Sequence, residues 1–102
     1  MPPSKLTGSI LVADDNTDIR HMLAIQLSFL GHTVTEARDG QEALDLINSQ
    51  PFDLMLLDLT MPRVSGFGVL EVVKGDSTLR HLPIIVISAA GEIRGIEMAS
   101  EE

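Results

Sequence analysis

The stretch that decides the fold is Ser9-Ile10-Leu11-Val12-Ala13-Asp14-Asp15. Its first part is short and almost continuously apolar, which predicts a β-strand buried on both faces, as in a parallel sheet covered by helices. Two aspartates then end the strand abruptly. This stretch therefore predicts a buried sheet with acidic groups at the carboxyl end of one strand.

Helices and strands alternate after this first strand. Apolar residues at helical spacing predict a helix over about 17–30, and Gly31 provides a C-terminal stop. A short alternating strand is predicted over 33–37. Asp39 and Glu42 then form a pattern typical of a capping box at the start of a second helix.

The second half of the chain continues the alternation. The predicted elements are a strand over 52–57 with Asp58 at its carboxyl end, a helix over 67–74 capped by Ser65-Gly66, a strand over 84–88, and a weakly patterned helix over 92–102. Strands joined by single helices predict an α/β fold, a three-layer, doubly wound parallel sheet with right-handed crossovers. Ligands of such sheets bind beyond the carboxyl ends of the strands.

Composition limits the classes of function. A chain of 102 residues with 44% hydrophobic content predicts one domain, over 9–102, after a leader over 1–8. The net charge of -8 argues against direct nucleic-acid binding. The absence of cysteine excludes disulfides, thiolate metal sites and cysteine nucleophiles. No signal or membrane-spanning segment is visible, so we expect a cytoplasmic protein.

Histidines do not suggest a metal site. His21, His32 and His81 are scattered and show no paired spacing for zinc or for a phosphohistidine relay. We expect them at surface or half-buried positions.

Acidic residues at strand ends carry the main functional signal. Asp14 and Asp15 follow the first strand, Asp58 follows the third, and Ser88 ends the fourth, so all four should meet at one rim of the sheet. Crowded carboxylates repel one another unless a hard divalent cation, most naturally magnesium, neutralises them. With a cation present, a carboxylate oxygen can attack phosphorus to give an aspartyl phosphate, to which the Ser88 hydroxyl could bond.

A purely structural interpretation exists for each acid taken alone. Asp14 and Asp15 could cap the first helix, and Asp58 could begin a turn before Met61-Pro62. Capping does not explain why separate strand ends direct polar groups to the same rim. The joint pattern therefore favours a functional site.

Three segments carry a resemblance to a known family. Residues 10–16 (ILVADDN), 36–44 (EARDGQEAL) and 58–66 (DLTMPRVSG) together resemble the receiver domains of two-component response regulators. The resemblance covers residues 9 to about 98. It implies a flavodoxin-like fold and a domain switched by phosphorylation.

The resemblance also implies a role for individual residues. Asp58 would accept the phosphoryl group, Asp15 and Asp58 would ligate magnesium directly, Asp14 would do so through water, Thr60 would contribute its backbone carbonyl, the Ser88 hydroxyl would turn toward the phosphate, and Ala89 would leave that phosphate accessible. The phosphoryl donor would be a sensor histidine kinase or a phosphotransfer protein. Such a domain is a switch rather than an enzyme, since it catalyses only its own phosphorylation and dephosphorylation.

The sequence departs from the family at its end. A complete receiver continues with a fifth strand, which carries a lysine that contacts the phosphate, and a fifth helix. Neither Lys74 nor Arg94 stands at the position of that lysine. We expect a fragment, or a protomer completed by a partner, in which the fourth strand is an exposed apolar edge. That edge predicts a homo-oligomer or a domain-swapped dimer.

Two alternative functions remain open. The missing lysine is compatible with an interaction module that keeps the fold without being phosphorylated. A metal-dependent phosphohydrolase with an aspartyl nucleophile is less well supported. Such enzymes carry a second aspartate two positions after the nucleophile, and here that position is Thr60.

Overall fold

A computed structural model of the chain describes residues 7–59, 61, 63–87 and 93–98. Helices and strands alternate as predicted through the fourth strand. The elements are β1 (Ser9–Ala13), α1 (Thr17–Phe29), β2 (Thr33–Ala37), α2 (Gly40–Ser49), β3 (Leu54–Asp58), α3 (Gly66–Gly75), β4 (Pro83–Ile87) and β5 (Ile93–Met98). None of the described helices has the length and apolar character needed to cross a membrane.

The strands form one sheet in the order β2-β1-β3-β4-β5. The first four strands are parallel, which confirms the doubly wound architecture. The chain builds outward from β1 in one direction to β2 and in the other to β3 and β4. The carboxyl ends of β1 and β3 therefore lie at the point where the winding direction changes, the usual ligand site of this architecture.

Both faces of the sheet are covered, as the apolar runs predicted. Alternate residues of the central strands, such as Leu11 and Leu57, pack under α2 and α3 in the larger cluster of buried side chains. The intervening residues Val12 and Leu56 pack under α1 with Leu23. These two apolar layers hold the strand ends in fixed relative positions.

Side-chain caps fix where the helices begin. The Asp39 carboxylate accepts a hydrogen bond from the Glu42 N–H at 2.8 Å, which confirms the predicted start of α2. The Ser65 hydroxyl likewise accepts from the Gly68 N–H at 3.3 Å, at the start of α3. Asn16 caps α1 by accepting from the Ile19 N–H at 3.0 Å.

The prediction of a helix in the tail is wrong for residues 93–98. These residues form β5, which pairs antiparallel with β4, with Ile96 opposite Ile85. The backbone groups of an apolar edge need hydrogen-bond partners, and pairing with β4 supplies them. The predicted exposed edge on β4 is therefore also wrong, and β2 and β5 form the edges of the described sheet. The described residues contain no fifth parallel strand, as expected.

A close backbone approach connects α3 to β3. A Cβ atom on Gly66, the first residue of α3, would overlap the backbone of Asp58 and Leu59. The Gly66 N–H also donates to the Leu59 carbonyl at 3.0 Å. Only a residue without a side chain fits here, and the helix consequently packs directly against the end of β3.

The two ends of α3 provide a test of this contact. We expect Gly66→Ala to lower the free energy of unfolding by about 1–3 kcal/mol, because backbone atoms cannot move aside as a side chain would. Gly75→Ala is the matched control, since a Cβ there meets no atom within 4 Å. It should leave stability unchanged or raise it by up to about 1 kcal/mol. Urea denaturation of the two variants measures both values, and equal stabilities would contradict the close approach.

Candidate metal and phosphoryl-transfer site

Three carboxyl groups meet at the rim formed by the carboxyl ends of β1 and β3. Asp14 and Asp15 follow β1 directly, and Asp58 is the last residue of β3. Since β1 and β3 are neighbours in the sheet, one carboxylate oxygen from each residue lies within 4.8 Å of the other two. The predicted convergence of these three acids is confirmed. It is the one group of three or more metal-ligating side chains in the described residues.

The other predicted site residues cannot be placed. Thr60, Ser88 and Ala89 lie outside the described residues. Their roles remain predictions from the resemblance. Ile87, the last residue of β4, pairs with Asp58, so β4 ends beside the acidic rim.

Burial differs among the three acids. The side chains of Asp14 and Asp58 are almost completely buried, at 0% and 3% relative exposure, whereas Asp15 is exposed. Burying ionised carboxylates is costly unless a counter-charge or hydrogen bonds compensate them. The exposed Asp15 marks the side from which solvent and ligands reach the cluster.

Asp14 is held by several hydrogen bonds but retains one unsatisfied oxygen. Its Oδ1 accepts from the Asn16 N–H at 2.9 Å, and its own N–H donates to the Ala37 carbonyl at 3.1 Å. Its Oδ2 is buried and has no hydrogen-bond partner among the described residues. An unsatisfied buried carboxylate oxygen next to two more carboxylates fits a hard divalent cation or one of its bound waters.

The environment raises the pKa of Asp14 to about 6. Burial is the largest cause, because it disfavours the charged form. The hydrogen bond from the Asn16 N–H opposes this effect, and the neighbouring carboxyl groups of Asp58 and Asp15 raise the pKa further. A bound cation would favour the charged form of Asp14 and so oppose this shift.

The capping interpretation of Asp14 and Asp15 does not hold. The residue that caps α1 is Asn16, whose side chain accepts from the Ile19 N–H. Asp14 instead accepts from the Asn16 N–H, and its other oxygen is left for the cluster. Helix capping therefore does not account for the two acids that follow β1.

The histidines lie at exposed or half-buried positions, as predicted. His32 Nδ1 accepts from the Gly8 N–H at 3.2 Å, and His21 Nδ1 lies 2.9 Å from a carboxylate oxygen of Glu36. His81 is exposed in the turn before β4. None belongs to a group of metal-ligating side chains within the part of the chain that the structure describes.

Arg20 is a site neighbour that the sequence did not reveal. Arg20 is not one of the apolar residues whose spacing predicts α1, but its side chain is buried and contacts Glu36 and the Asp14 carbonyl. The one hint in the sequence was an acidic residue, Glu36, near the end of β2. Its ion pair with Arg20 becomes evident only when β2 is known to lie beside β1.

Comparisons with a family model and with known proteins agree on one family. The family model described as response regulator receiver domain matches residues 10–101. The response regulator RR06 of Streptococcus pneumoniae is 46% identical over 84 residues, covering 82% of this chain and 37% of that protein. A probable transcriptional regulator, ycf27 of Guillardia theta, is 36% identical over 97 residues, covering 91% of this chain and 37% of its own length. The chain thus spans well under half of these curated relatives.

Solved structures agree with the sequence relatives. The receiver domain of Francisella response regulator 1452 matches with a TM-score of 0.75 and 33% identity, covering 80% of this chain and 66% of that one. Response regulator TrrA of Thermotoga maritima, solved in complex with Mg²⁺-BeF, matches with a TM-score of 0.73 and 34% identity, covering 79% and 69%.

The raised pKa of Asp14 predicts a pH dependence of metal-free stability. Between the ordinary pKa of 3.8 and about 6, the folded state holds a proton that the unfolded chain has released. The resulting stabilisation is complete below pH 3.8 and is lost as pH rises through about 6. Each unit by which the pKa is raised corresponds to about 1.4 kcal/mol of this stabilisation.

Asp14→Asn should remove this contribution. Without metal, the free energy of unfolding of the wild type should fall relative to that of the variant as pH rises from 4 to 6–7. Magnesium at pH 7 should stabilise the wild type more than the variant. Urea denaturation across pH, with Asp45→Asn on the exposed face of α2 as control, measures this. Parallel pH profiles for wild type and Asp14→Asn would disprove the assignment.

Proposed function

This chain belongs to the response regulator receiver domain family, and on that premise we propose that it is a phosphorylation switch in which Asp58 accepts the phosphoryl group. The observation that carries the proposal is the convergence of Asp58 with Asp14 and Asp15 at the edge of the sheet where the winding direction changes. Asp58 is the last residue of a central strand, so a group attached there would lie at the acidic rim, beside the end of β4.

The transfer step uses the Asp58 carboxylate as nucleophile. One carboxylate oxygen attacks the phosphorus and forms a new P–O bond, while the bond from phosphorus to the donor breaks and the leaving group keeps its electron pair. The product is a mixed anhydride of phosphate and the Asp58 carboxyl group. Magnesium, when bound, supplies compensation for the charge on the transferring phosphoryl oxygens.

The residues proposed to hold the cation are those at the rim. Asp15 and Asp58 would ligate it directly, Asp14 would do so through a bound water, and Thr60 would add its backbone carbonyl. The unsatisfied Asp14 Oδ2 supports this assignment, because a water on the cation would give that oxygen a donor. Ser88 is proposed to hydrogen bond the phosphoryl group, and Ala89 to keep it accessible.

The proposed donor is a phosphohistidine on a sensor histidine kinase or a phosphotransfer protein. The domain then acts as a signalling switch of a two-component system in the cytoplasm rather than as an enzyme with a released product. The relatives named above include transcriptional regulators, and this chain spans well under half of their length. The output of the whole protein is therefore proposed only at the level of a regulated partner.

A second candidate is an interaction module with the same fold that is not phosphorylated. Lys74 lies in the last turn of α3 and does not by its position supply the lysine that the resemblance implies, which keeps this candidate open. Lys5 lies outside the described residues.

Phosphorylation from a small donor separates the two candidates. The protein is incubated with magnesium and acetyl phosphate, and intact mass is compared for wild type, Asp58→Ala and Asp53→Asn. Asp53 is the matched control, because it precedes the same strand at the opposite end of the sheet, and its replacement keeps an acceptor for the Ser9 N–H. We expect one phosphoryl adduct on wild type and on Asp53→Asn, and none on Asp58→Ala.

The opposite results have a clear meaning. An adduct that persists in Asp58→Ala would place the acceptor on another residue. The absence of an adduct on wild type, with magnesium binding intact, would favour the interaction module. Omitting magnesium should abolish or strongly slow the reaction of the wild type.

A further inference from the structure

Arg20 is a buried cation close to the acidic site. It lies in the first turn of α1 with 7% relative exposure. Its Nε donates to the Glu36 carboxylate at 2.8 Å, and its Nη1 donates to the backbone carbonyl of Asp14 at 2.9 Å. One planar guanidinium therefore joins α1, the end of β1 and the strand β2.

The contact with Asp14 completes a set of restraints on that residue. The Asp14 N–H donates to the Ala37 carbonyl, and its Oδ1 accepts from the Asn16 N–H. Arg20 Nη1 donates to the Asp14 carbonyl, so the N–H, the carbonyl and Oδ1 of Asp14 are all hydrogen bonded. Oδ2 is the polar atom that remains for the cluster. The other two restraints come from backbone groups, so Arg20 is the only one of these restraints that a substitution can remove directly.

The charge of Arg20 is already compensated. Glu36 forms an ion pair with it, and the exposed His21 contacts the same carboxylate at 2.9 Å. The guanidinium therefore does not replace a cation between the acids. Its contribution to the site lies in the geometry of its two hydrogen bonds rather than in its charge.

We propose that Arg20 is a positioning residue for the acidic site. By holding the Asp14 backbone, it fixes the direction of Asp14 Oδ2 and so the affinity of the cluster for a divalent cation. Substitution of a residue that hydrogen-bonds to a metal ligand and orients it commonly lowers metal affinity about 10–100-fold. This inference rests on the proposed function, because it takes the acidic cluster to be a magnesium site.

Arg20→Lys tests the proposal because it keeps the charge and replaces the two-pronged donor with a single ammonium. We expect its magnesium dissociation constant, measured by calorimetric titration of the metal alone, to rise at least about 10-fold. The matched control is Arg38→Lys, which alters an exposed pair between Arg38 and Glu42 with a separation of 3.5 Å. That variant should bind magnesium as the wild type does, within about twofold.

Stability is measured in parallel, since a purely structural clamp would lower stability without changing metal affinity. A folded Arg20→Lys protein with wild-type magnesium affinity would overturn the proposal. A wild type that fails to bind magnesium would instead overturn the metal site of the proposed function, and this inference with it. The two failures are thereby distinguished.

A second measurement keeps the test valid if Arg20→Lys does not fold. In wild-type protein, the side-chain ¹⁵N resonances of Arg20 should move on magnesium titration with the dissociation constant found by calorimetry. The resonances of Arg38 should stay in place. Arg20 resonances that do not respond to magnesium at saturation would contradict a direct connection between the guanidinium and the site.

Discussion

Burial of the Asp14 and Asp58 carboxyl groups beside one another is the constraint on which the rest of the structure depends. Two like-charged groups taken out of water at the ends of neighbouring strands oppose folding unless a proton or a cation joins them. The apolar layers on both faces of the sheet must offset that cost. The apolar strands β1 and β3 thus end at the acidic rim, and the packed core on both faces of the sheet holds its carboxyl groups in place.

Several nearby features support this cluster of buried carboxyl groups. Asn16 takes over the capping of α1, which leaves the acids before it available to the cluster. Gly66 lets α3 pack directly against the end of β3, so the start of α3 restrains the backbone of Asp58. Arg20 holds the backbone of Asp14 from α1. Each support restrains the main chain and leaves carboxylate oxygens for a ligand, as a preorganised site requires.

The sequence predicted the elements whose signals are local. Continuous apolar runs located β1, β3 and β4, and the pairs Asp39-Glu42 and Ser65-Gly66 located the starts of two helices. Parallel pairing then brought three of the acids together. The signal failed where a segment depends on a partner in another element, because β5 pairs with the edge of β4 and Arg20 pairs with Glu36. Helical periodicity describes one helix at a time and contains no information about a partner on another strand.

The same energetics bear on the switch that we propose. Without a ligand, the pKa of Asp14 lies near 6, so the charge of the cluster changes within a pH range close to neutrality. A cation removes this repulsion, whereas a phosphoryl group on Asp58 would add further negative charge at the same place. Asp58 is buried at the end of a central strand, and its backbone packs against Gly66. A change of charge on Asp58 would therefore act next to closely packed backbone. If Asp58 is phosphorylated as proposed, the added charge would act at the end of β3 and at the start of α3, which packs against it.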